Sequence, residues 1–263
     1  MNAPFTIVMI GAGRVATHLA PALSACGYRI LQVYSRTLEA AQTLAEKTGS
    51  QATNSMEKLC PEADLYLVSV SDAALTTLLP AVTSVNPQAL FVHTAGSVPM
   101  NIWEGLAERY GVLYPMQTFS KEREVDFHQV SFFIEAYKAP DVQLLKTLAS
   151  SLSPKVYEAT SEQRKYLHIG AVFACNFTNH MYAICEELLN RHNLPFTAML
   201  PLIDETARKI HELSPRLAQT GPASRQDRNI LENHRQLLET EAPDLTDIYR
   251  LLSEHIQSYL PEK

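Results

Sequence analysis

Two glycines near the start of the chain have the spacing of a turn that binds a dinucleotide. Residues 11–16 read GAGRVA, which fits the pattern G-x-G-x-x-A. In that pattern Gly11 would permit a tight turn, and Gly13 would let the backbone approach a pyrophosphate. The amides of Arg14 and Val15, at the start of a predicted helix, would then face the phosphates. The alternative is a turn that only connects a strand to a helix.

The end of the second predicted strand bears on which nicotinamide cofactor is bound. A fold that selects NAD places an acid there, whereas NADP selection replaces it with small polar residues and a nearby Arg. This chain has Ser35, Arg36 and Thr37. Hydroxyl and guanidinium groups can bind the 2′-phosphate through charge-assisted hydrogen bonds, so we expect NADP. The alternative is an exposed Arg36 beside a Ser or Thr that caps the next helix.

Polar side chains follow three further predicted strands. Ligands in open α/β sheets bind beyond the carboxyl ends of the strands, so these residues are expected to line the same crevice. Those assigned to the cofactor are Ser69, Val70, Ser71 and Thr94. Those assigned to the substrate are Ser97 and Gln117. Asp72 is expected to be a helix N-cap, and His93 is expected to lie in the core.

The elements that would position these residues alternate between short β-branched runs and helical stretches up to Glu158. Strands are predicted at 5–10, 29–35, near 50–53, 63–70, 89–94, 111–116, 130–136 and 155–159. This alternation is typical of a parallel sheet covered on both faces. Residues 161–193 instead keep apolar residues at helical spacing. The sequence thus predicts an α/β protein in which a Rossmann-type parallel sheet, residues 1–158, precedes an all-helical domain, residues 159–263.

Composition excludes several classes of partner. The net charge is −6 and Lys and Arg form no cluster, so neither nucleic acid nor a membrane surface is expected as a partner. No apolar run is long enough to span a bilayer, and the first apolar run leads into the glycine turn rather than a cleavage site. The four cysteines are scattered and no metal-ligand spacing appears. We therefore expect a cytoplasmic protein without a metal.

Several segments together resemble a known family. The glycine turn, VSVSDAAL, HTAGS, YPMQTF, YLHIGAVFACNF and GPASRQD are similar to NADP oxidoreductases in which a Rossmann-like domain is joined to a helical domain of unknown function. The resemblance covers nearly the whole chain. The family is similar in plan to pyrroline-5-carboxylate reductase and, more distantly, to 6-phosphogluconate and 3-hydroxyacid dehydrogenases. The resemblance implies a helical domain of the 6-phosphogluconate dehydrogenase C-terminal type and a homodimer built through it.

The resemblance also provides the catalytic candidates. Family members tend to have a His and an Asn at the positions of His168 and Asn176, which can project from one helix face. His168 is the candidate proton donor, because His titrates near neutral pH, and Asn176 could orient a carbonyl or carboxylate. The alternatives are a structural His and an amide bonded at the domain interface. The lysine of 3-hydroxyacid dehydrogenases has no counterpart, since Lys165 is too far from Asn176.

A loop near the end of the chain departs from the family pattern. Members tend to show Gly-Pro and then Arg-Gly-Asp, whereas this chain has Arg225, Gln226 and Asp227. We expect Arg225 and Asp227 to form an ion pair that caps a helix, with substrate binding as the alternative. His180 is expected to face solvent or a dimer contact.

These observations lead to one functional expectation. The chain should be an NADP-dependent oxidoreductase that reduces a small carbonyl or imine by hydride transfer in the cleft between its domains. The alternative is a protein that senses NADP(H) without turnover.

Overall fold

The computed structural model describes residues 4–259, and its first part is an eight-stranded sheet with helices. The strands are β1 (Thr6–Ile10), β2 (Arg29–Tyr34), β3 (Gln51–Thr53), β4 (Leu65–Val68), β5 (Leu90–His93), β6 (Tyr110–Met116), β7 (Ser131–Ala136) and β8 (Val156–Glu158). The helices between them are α1 (Arg14–Ala25), α2 (Leu38–Thr48), α3 (Asp72–Thr83) and α4 (Ala139–Ser150). Each predicted strand has a counterpart whose ends differ by one or two residues.

The strand order is β3-β2-β1-β4-β5-β6-β7-β8. After β3 the chain crosses back to β4 on the other side of β1, so the carboxyl ends of β1 and β4 meet where the order reverses. Ligands of doubly wound sheets bind at this point. The predicted Rossmann-type parallel sheet is confirmed, with one antiparallel pair, because β7 runs antiparallel to β6. The segment between them contains only one 3-10 turn, Phe127–Gln129, and no crossover helix, which a parallel pair would need.

The core lies on both faces of the sheet. In β1, Ile7 and Met9 belong to one buried apolar cluster, whereas Val8 and Ile10 belong to another. Alternate side chains of a strand point to opposite faces, and parallel sheets are covered on both. Helices α1, α2 and α4 contribute to the first cluster, and α3 contributes to the second.

The predicted long helical run is continuous, but it is not a uniform α-helix. It consists of α5 (Ser161–Ala171), a π-helical segment (Val172–Phe177) and α6 (Thr178–Arg191). A capping box begins it, because the Thr160 hydroxyl accepts from the Gln163 amide while the Gln163 side chain accepts from the Thr160 amide. The remaining helices are α7 (Leu200–Lys209), α8 (Arg228–Glu241) and α9 (Pro243–Ser258).

The chain divides into two compact units, of which the first ends at His180 and the second begins at Met181. The predicted boundary after residue 158 coincides with the end of β8, whereas the first unit also includes α5 and the π segment. The reason is visible at Arg164 of α5, which is buried and forms an ion pair of 2.7 Å with Glu135 of β7. Within residues 4–259, no helix combines the length and apolar character needed to cross a bilayer.

Candidate functional site

The glycine-rich turn follows β1 and is pressed against the end of β4. Gly11 has a φ of 113°, and a Cβ atom there would lie 2.2 Å from the Ser69 carbonyl oxygen. Both the backbone conformation and the contact therefore require glycine. Ala16 is fully buried and packs α1 against the sheet. The turn thus has the close packing that the sequence pattern predicts.

The start of α1 is suited to an anion. Gly13 is the N-cap residue, no side chain caps the helix, and its first turn contains no acid. Gly13 and Arg14 are exposed, Val15 is half-buried, and the nearest atom to a Cβ on Gly13 would be 4.0 Å away. Amides that lack a side-chain acceptor at a positive helix end favour a phosphate. This arrangement fits the pyrophosphate of a dinucleotide.

The polar run after β2 is accessible. Ser35 is half-buried, whereas Arg36 and Thr37 are exposed. Thr37 occupies the N-cap position of α2, but its side chain makes no capping hydrogen bond. Arg36 has no ion-pair partner among residues 4–259. These hydroxyl and guanidinium groups are therefore available to an external phosphate.

The residues after β4 and β5 are joined by hydrogen bonds. Thr94 and Ser69 are buried, and the Thr94 hydroxyl donates to the Ser69 hydroxyl at 3.1 Å. The expectation that Asp72 is an N-cap is wrong, because Ser71 holds that position and Asp72 is the first residue of α3. Instead, the Asp72 carboxylate accepts a hydrogen bond from Ser97. Val70 is half-buried and Ser71 is exposed, and the Ser71 hydroxyl makes no capping hydrogen bond to α3.

A cavity of about 910 Å³ in the first unit brings four of the candidate residues together. Its lining is mostly apolar, and the candidates are Arg14, Gln117, His168 and Asn176. The loop after β6 that carries Gln117 is tied to α1, since the His18 ring and the Ser120 carbonyl form a 2.8 Å hydrogen bond. The other predicted site residues do not line this cavity. It therefore lies between α1, the loop after β6, and the helical run that starts at α5.

Two residues in this cavity region were not assigned from the sequence. The Tyr114 hydroxyl lies 3.3 Å from Nδ1 of His168, and the rings meet edge to face. A Cβ atom on Gly96 would lie 2.8 Å from the same Nδ1 and 2.9 Å from the Tyr114 ring. Burial raises the pKa of Tyr114 above its ordinary value, while Arg164 opposes the shift. Gly96 lies in the segment HTAGS and Tyr114 in YPMQTF, but other residues of these segments were the ones predicted to form the site.

The π segment affects how His168 and Asn176 are oriented. An α-helix turns by about 100° per residue, so side chains eight residues apart would diverge by about 80°. A π-helix turns less per residue because its hydrogen bonds span five residues, and this reduces the divergence. Both residues line the cavity. The prediction that they share a face is thus met through a feature that the sequence analysis did not identify.

His93 and His180 lie in the environments expected for them. His93 is fully buried, and burial, reinforced by the Arg164 charge, lowers its pKa to about 3. It is therefore a neutral core residue. His180 is exposed.

The loop before α8 confirms one expectation and corrects another. Asp227 is the N-cap of α8, and its carboxylate accepts from the Ile230 amide at 3.3 Å. The predicted ion pair between Arg225 and Asp227 is absent from the described part of the chain, because Asp227 is directed at the helix amides instead. Gln226, which replaces the family's glycine, has a φ of 57°. No group of three His, Cys, Asp or Glu side chains within residues 4–259 is arranged for a metal.

The two parts of the chain match different family models. Residues 6–95 match the family described as "NADP oxidoreductase coenzyme F420-dependent", and residues 130–256 match "Domain of unknown function (DUF2520)". The sequence has no significant match among curated proteins.

Solved structures extend the match to the whole chain. A protein from Thermotoga maritima is 22% identical with a TM-score of 0.73, over 96% of this chain and 97% of that one. A pyrroline-5-carboxylate reductase from Coxiella burnetii is 18% identical with a TM-score of 0.61, over 97% of each chain. These two share the fold. A putative NADP oxidoreductase from Bacteroides fragilis is 55% identical with a TM-score of 0.91, over 97% of this chain and 98% of that one. The chain therefore belongs to the NADP oxidoreductase family, whose cofactor is NADP.

Proposed function

We propose that this NADP oxidoreductase reduces a small carbonyl or imine compound by hydride transfer in the cavity of the first unit. The observation that carries the proposal is the convergence of Gln117, His168 and Asn176 on one mostly apolar cavity, which Arg14 of the glycine-rich turn also lines. The cavity thus contains both candidate proton-donating and orienting groups and a residue from the cofactor turn. Pockets of this kind, apolar with a few polar groups, are typical of small-molecule sites.

The cofactor would be held by the turn and by the strand ends. The amides of Gly13, Arg14 and Val15 would bind the pyrophosphate, while Ser35, Arg36 and Thr37 would bind the 2′-phosphate. The residues beyond the strand ends that would complete the site are Ser69, Val70, Ser71 and Thr94. When bound, NADPH supplies a hydride. In this proposal residues 1–158 bind the cofactor, and residues 159–263 contribute the substrate and dimer surfaces.

The chain's own residues would supply the proton and orient the substrate. His168 would donate its ring N–H to the carbonyl oxygen, a contribution that a neutral ketone requires more than a protonated imine does. The Gln117 Oε1 atom already accepts from the Thr118 amide at 2.8 Å, so its NH₂ group remains to donate to a substrate oxygen. Asn176 would hold a carbonyl or carboxylate of the substrate. The Ser97 hydroxyl, which donates to Asp72, would have to give up that hydrogen bond to bind a group next to the nicotinamide ribose.

Neighbouring folds suggest the compounds to test first. The Coxiella burnetii reductase is named for a cyclic imine substrate, and an imine reductase from Myxococcus stipitatus in complex with NADP+ shares the fold at 16% identity, with a TM-score of 0.64 over 96% of this chain and 92% of that one. Cyclic imines and small ketones are therefore the first panel for an NADPH oxidation assay. His168→Gln should lower turnover of any compound found by about 100-fold or more, because the proton donor is lost. Unchanged turnover would contradict the role of His168.

Cofactor selectivity can be measured without a substrate. We expect NADPH to bind more tightly than NADH, and Arg36→Ala to weaken NADPH binding by at least about tenfold while NADH binding stays unchanged. The matched control is Arg29→Ala, at the opposite end of β2 and also exposed. Equal affinities for the two cofactors in the parent protein would overturn the assignment of the polar run. Tight NADPH binding without turnover of any compound would favour the sensing alternative.

We further propose that the protein is a homodimer joined through its helical unit. Apolar side chains with more than two fifths of their surface exposed occur on every helix after α6 or in the loops beside them: Leu194, Leu200, Leu202, Ile210, Leu213, Leu217, Leu237, Leu251, Leu252 and Tyr259. Many exposed apolar side chains in one unit are typical of a protein interface. A second copy is the simplest partner, because most soluble oligomers are symmetric assemblies of one chain.

A cytoplasmic location stays a prediction.

A further inference from the structure

We propose that Tyr114 is a positioning residue for His168: its hydroxyl donates to Nδ1 and keeps the proton of the neutral ring on Nε2, from where it can donate a hydrogen bond to a substrate oxygen in the cavity. The assignment of a catalytic role to His168 rests on the proposed function. The direction of the hydrogen bond does not, and it can be measured in the protein without substrate or cofactor.

Three separate elements form the arrangement. Tyr114 comes from β6, His168 from α5 and Gly96 from the loop after β5. The Tyr114 hydroxyl and Nδ1 of His168 are 3.3 Å apart, the distance of a long hydrogen bond. Gly96 packs so closely that a methyl group there would overlap both rings. The absence of a side chain at position 96 therefore allows the Tyr and the His to meet.

The helix that carries His168 is anchored one turn earlier. Arg164 is only 1% exposed, its guanidinium pairs with Glu135 at 2.7 Å, and it donates to the Val98 carbonyl at 2.6 Å. The Glu135 carboxylate also accepts from the hydroxyl and the amide of Ser161. Residues four apart lie on the same helix face, so this buried network holds the His168 side of α5 against the sheet. The ring consequently has little freedom to leave Tyr114.

The chemistry of the two groups sets the direction of the hydrogen bond. Tyr114 is 9% exposed, and burial keeps its pKa above the ordinary value, so the phenol retains its proton at neutral pH. Within residues 4–259 His168 is the hydrogen-bond partner of that hydroxyl. A neutral phenol can donate or accept, and donation to Nδ1 is the direction that gives this buried O–H an acceptor. A neutral imidazole that accepts at Nδ1 must carry its own proton on Nε2.

The test is the tautomer of His168 in protein with ¹⁵N-labelled histidine, read by long-range ¹H–¹⁵N correlation spectra at neutral pH. Loss of one signal in His168→Gln assigns the resonance. In the parent protein we expect the Nε2-protonated form alone, with an Nδ1 shift displaced by the hydrogen bond that it accepts. Tyr114→Phe should move the Nδ1 shift to the value of a free acceptor and allow the other tautomer to appear.

The matched control is Tyr110→Phe. Tyr110 lies on the same strand, is 6% exposed, and stacks on Tyr137 without a hydrogen bond to its hydroxyl among residues 4–259. The Tyr110→Phe substitution should leave the His168 signals unchanged. An unchanged His168 spectrum in Tyr114→Phe would overturn the proposal. A proton on Nδ1 in the parent protein would also overturn it, and that measurement does not depend on any variant folding.

Comparing kcat with the tautomer of His168 tests the positioning role of Tyr114 separately from the catalytic role of His168. With a substrate in hand, Tyr114→Phe should lower kcat by about 10- to 100-fold while the NADPH dissociation constant stays unchanged, since a misplaced group costs rate rather than cofactor affinity. A changed tautomer with unchanged kcat would support the hydrogen bond and contradict the catalytic role of His168. An unchanged tautomer with a lower kcat would contradict the positioning role.

Discussion

The two units of the chain differ in how they bury apolar surface. In the first unit all five residues of β1 except Thr6 are fully buried, and helices pack on both faces of the sheet. Among residues 181–259 of the second unit, the buried apolar residues are only Ala223, Ala242 and Leu245. Burial of apolar area is the main source of folding free energy. The first unit therefore has a core of its own, whereas the second leaves many apolar side chains of its helices exposed.

The largest expected effect tests the close packing in the first unit. Gly11→Ala should lower the free energy of unfolding by about 2–4 kcal/mol and abolish NADPH binding, because the new methyl group overlaps the Ser69 carbonyl in a left-handed conformation. Gly13→Ala is the control, since its Cβ atom has room; it should change stability by less than about 0.5 kcal/mol but still weaken NADPH binding. Chemical denaturation and cofactor titration measure both. Equal stability of the two variants would show that the turn is not pressed against β4.

The next effect concerns the uncovered face of the second unit. Leu251→Glu, at a side chain 62% exposed on α9, should raise the dimer dissociation constant by about 100-fold, because a charge would have to be buried in the interface. Analytical ultracentrifugation gives the constant. Leu106→Glu, at an exposed leucine of the first unit, should leave it unchanged. A parent protein that is monomeric at all concentrations would contradict the proposed dimer, because the exposed apolar side chains of the second unit would then not be covered by a second copy.

The third effect is a pH dependence confined to the first unit. His93 has a pKa of about 3 in the folded chain because it is buried, against about 6.5 when unfolded. The unfolded chain thus binds the extra proton, so stability falls as pH drops from about 6.5 towards 3, by at most about 1.4 kcal/mol per pH unit. His93→Gln should reduce this slope in denaturation measured across that range. His180→Gln, at an exposed histidine, should not.

The smallest effect concerns backbone strain in the second unit. Gln226 has a φ of 57°, so Gln226→Gly should remove a conformational cost of about 1 kcal/mol from the folded state. The net gain in stability should be smaller, because glycine also raises the conformational entropy of the unfolded chain. Asn193 has the same φ of 57°, but Asn tolerates this conformation better, so Asn193→Gly should gain less. Denaturant unfolding of both variants at one fixed protein concentration compares them. A loss of stability in Gln226→Gly would mean that the Gln side chain contributes more than its strain costs.

Sequence reasoning succeeded where a few neighbouring residues decide the structure. The glycine turn and the strands were predicted from local patterns, and Asp227 was expected to take part in capping a helix, as it does at the start of α8. It missed the π segment, because no local pattern that we used distinguishes it from an α-helix. It also missed Tyr114, since a tyrosine in an apolar strand has the pattern of a core residue, and it assigned an ion pair to Arg225 that is absent from the described residues.

The sequence by itself determined the order of strands and helices, the dinucleotide turn and the polar run Ser35–Thr37, because periodicity, glycine and capping residues act over a few positions. Only the tertiary structure decided that β7 runs antiparallel to β6 and that Gly96, Tyr114 and His168 meet. These contacts join residues far apart in the chain, and their geometry depends on how the sheet, its loops and α5 pack together. Arg164 illustrates the reason: its charge is tolerated in the interior only because Glu135 and the Val98 carbonyl, both distant in sequence, lie beside it.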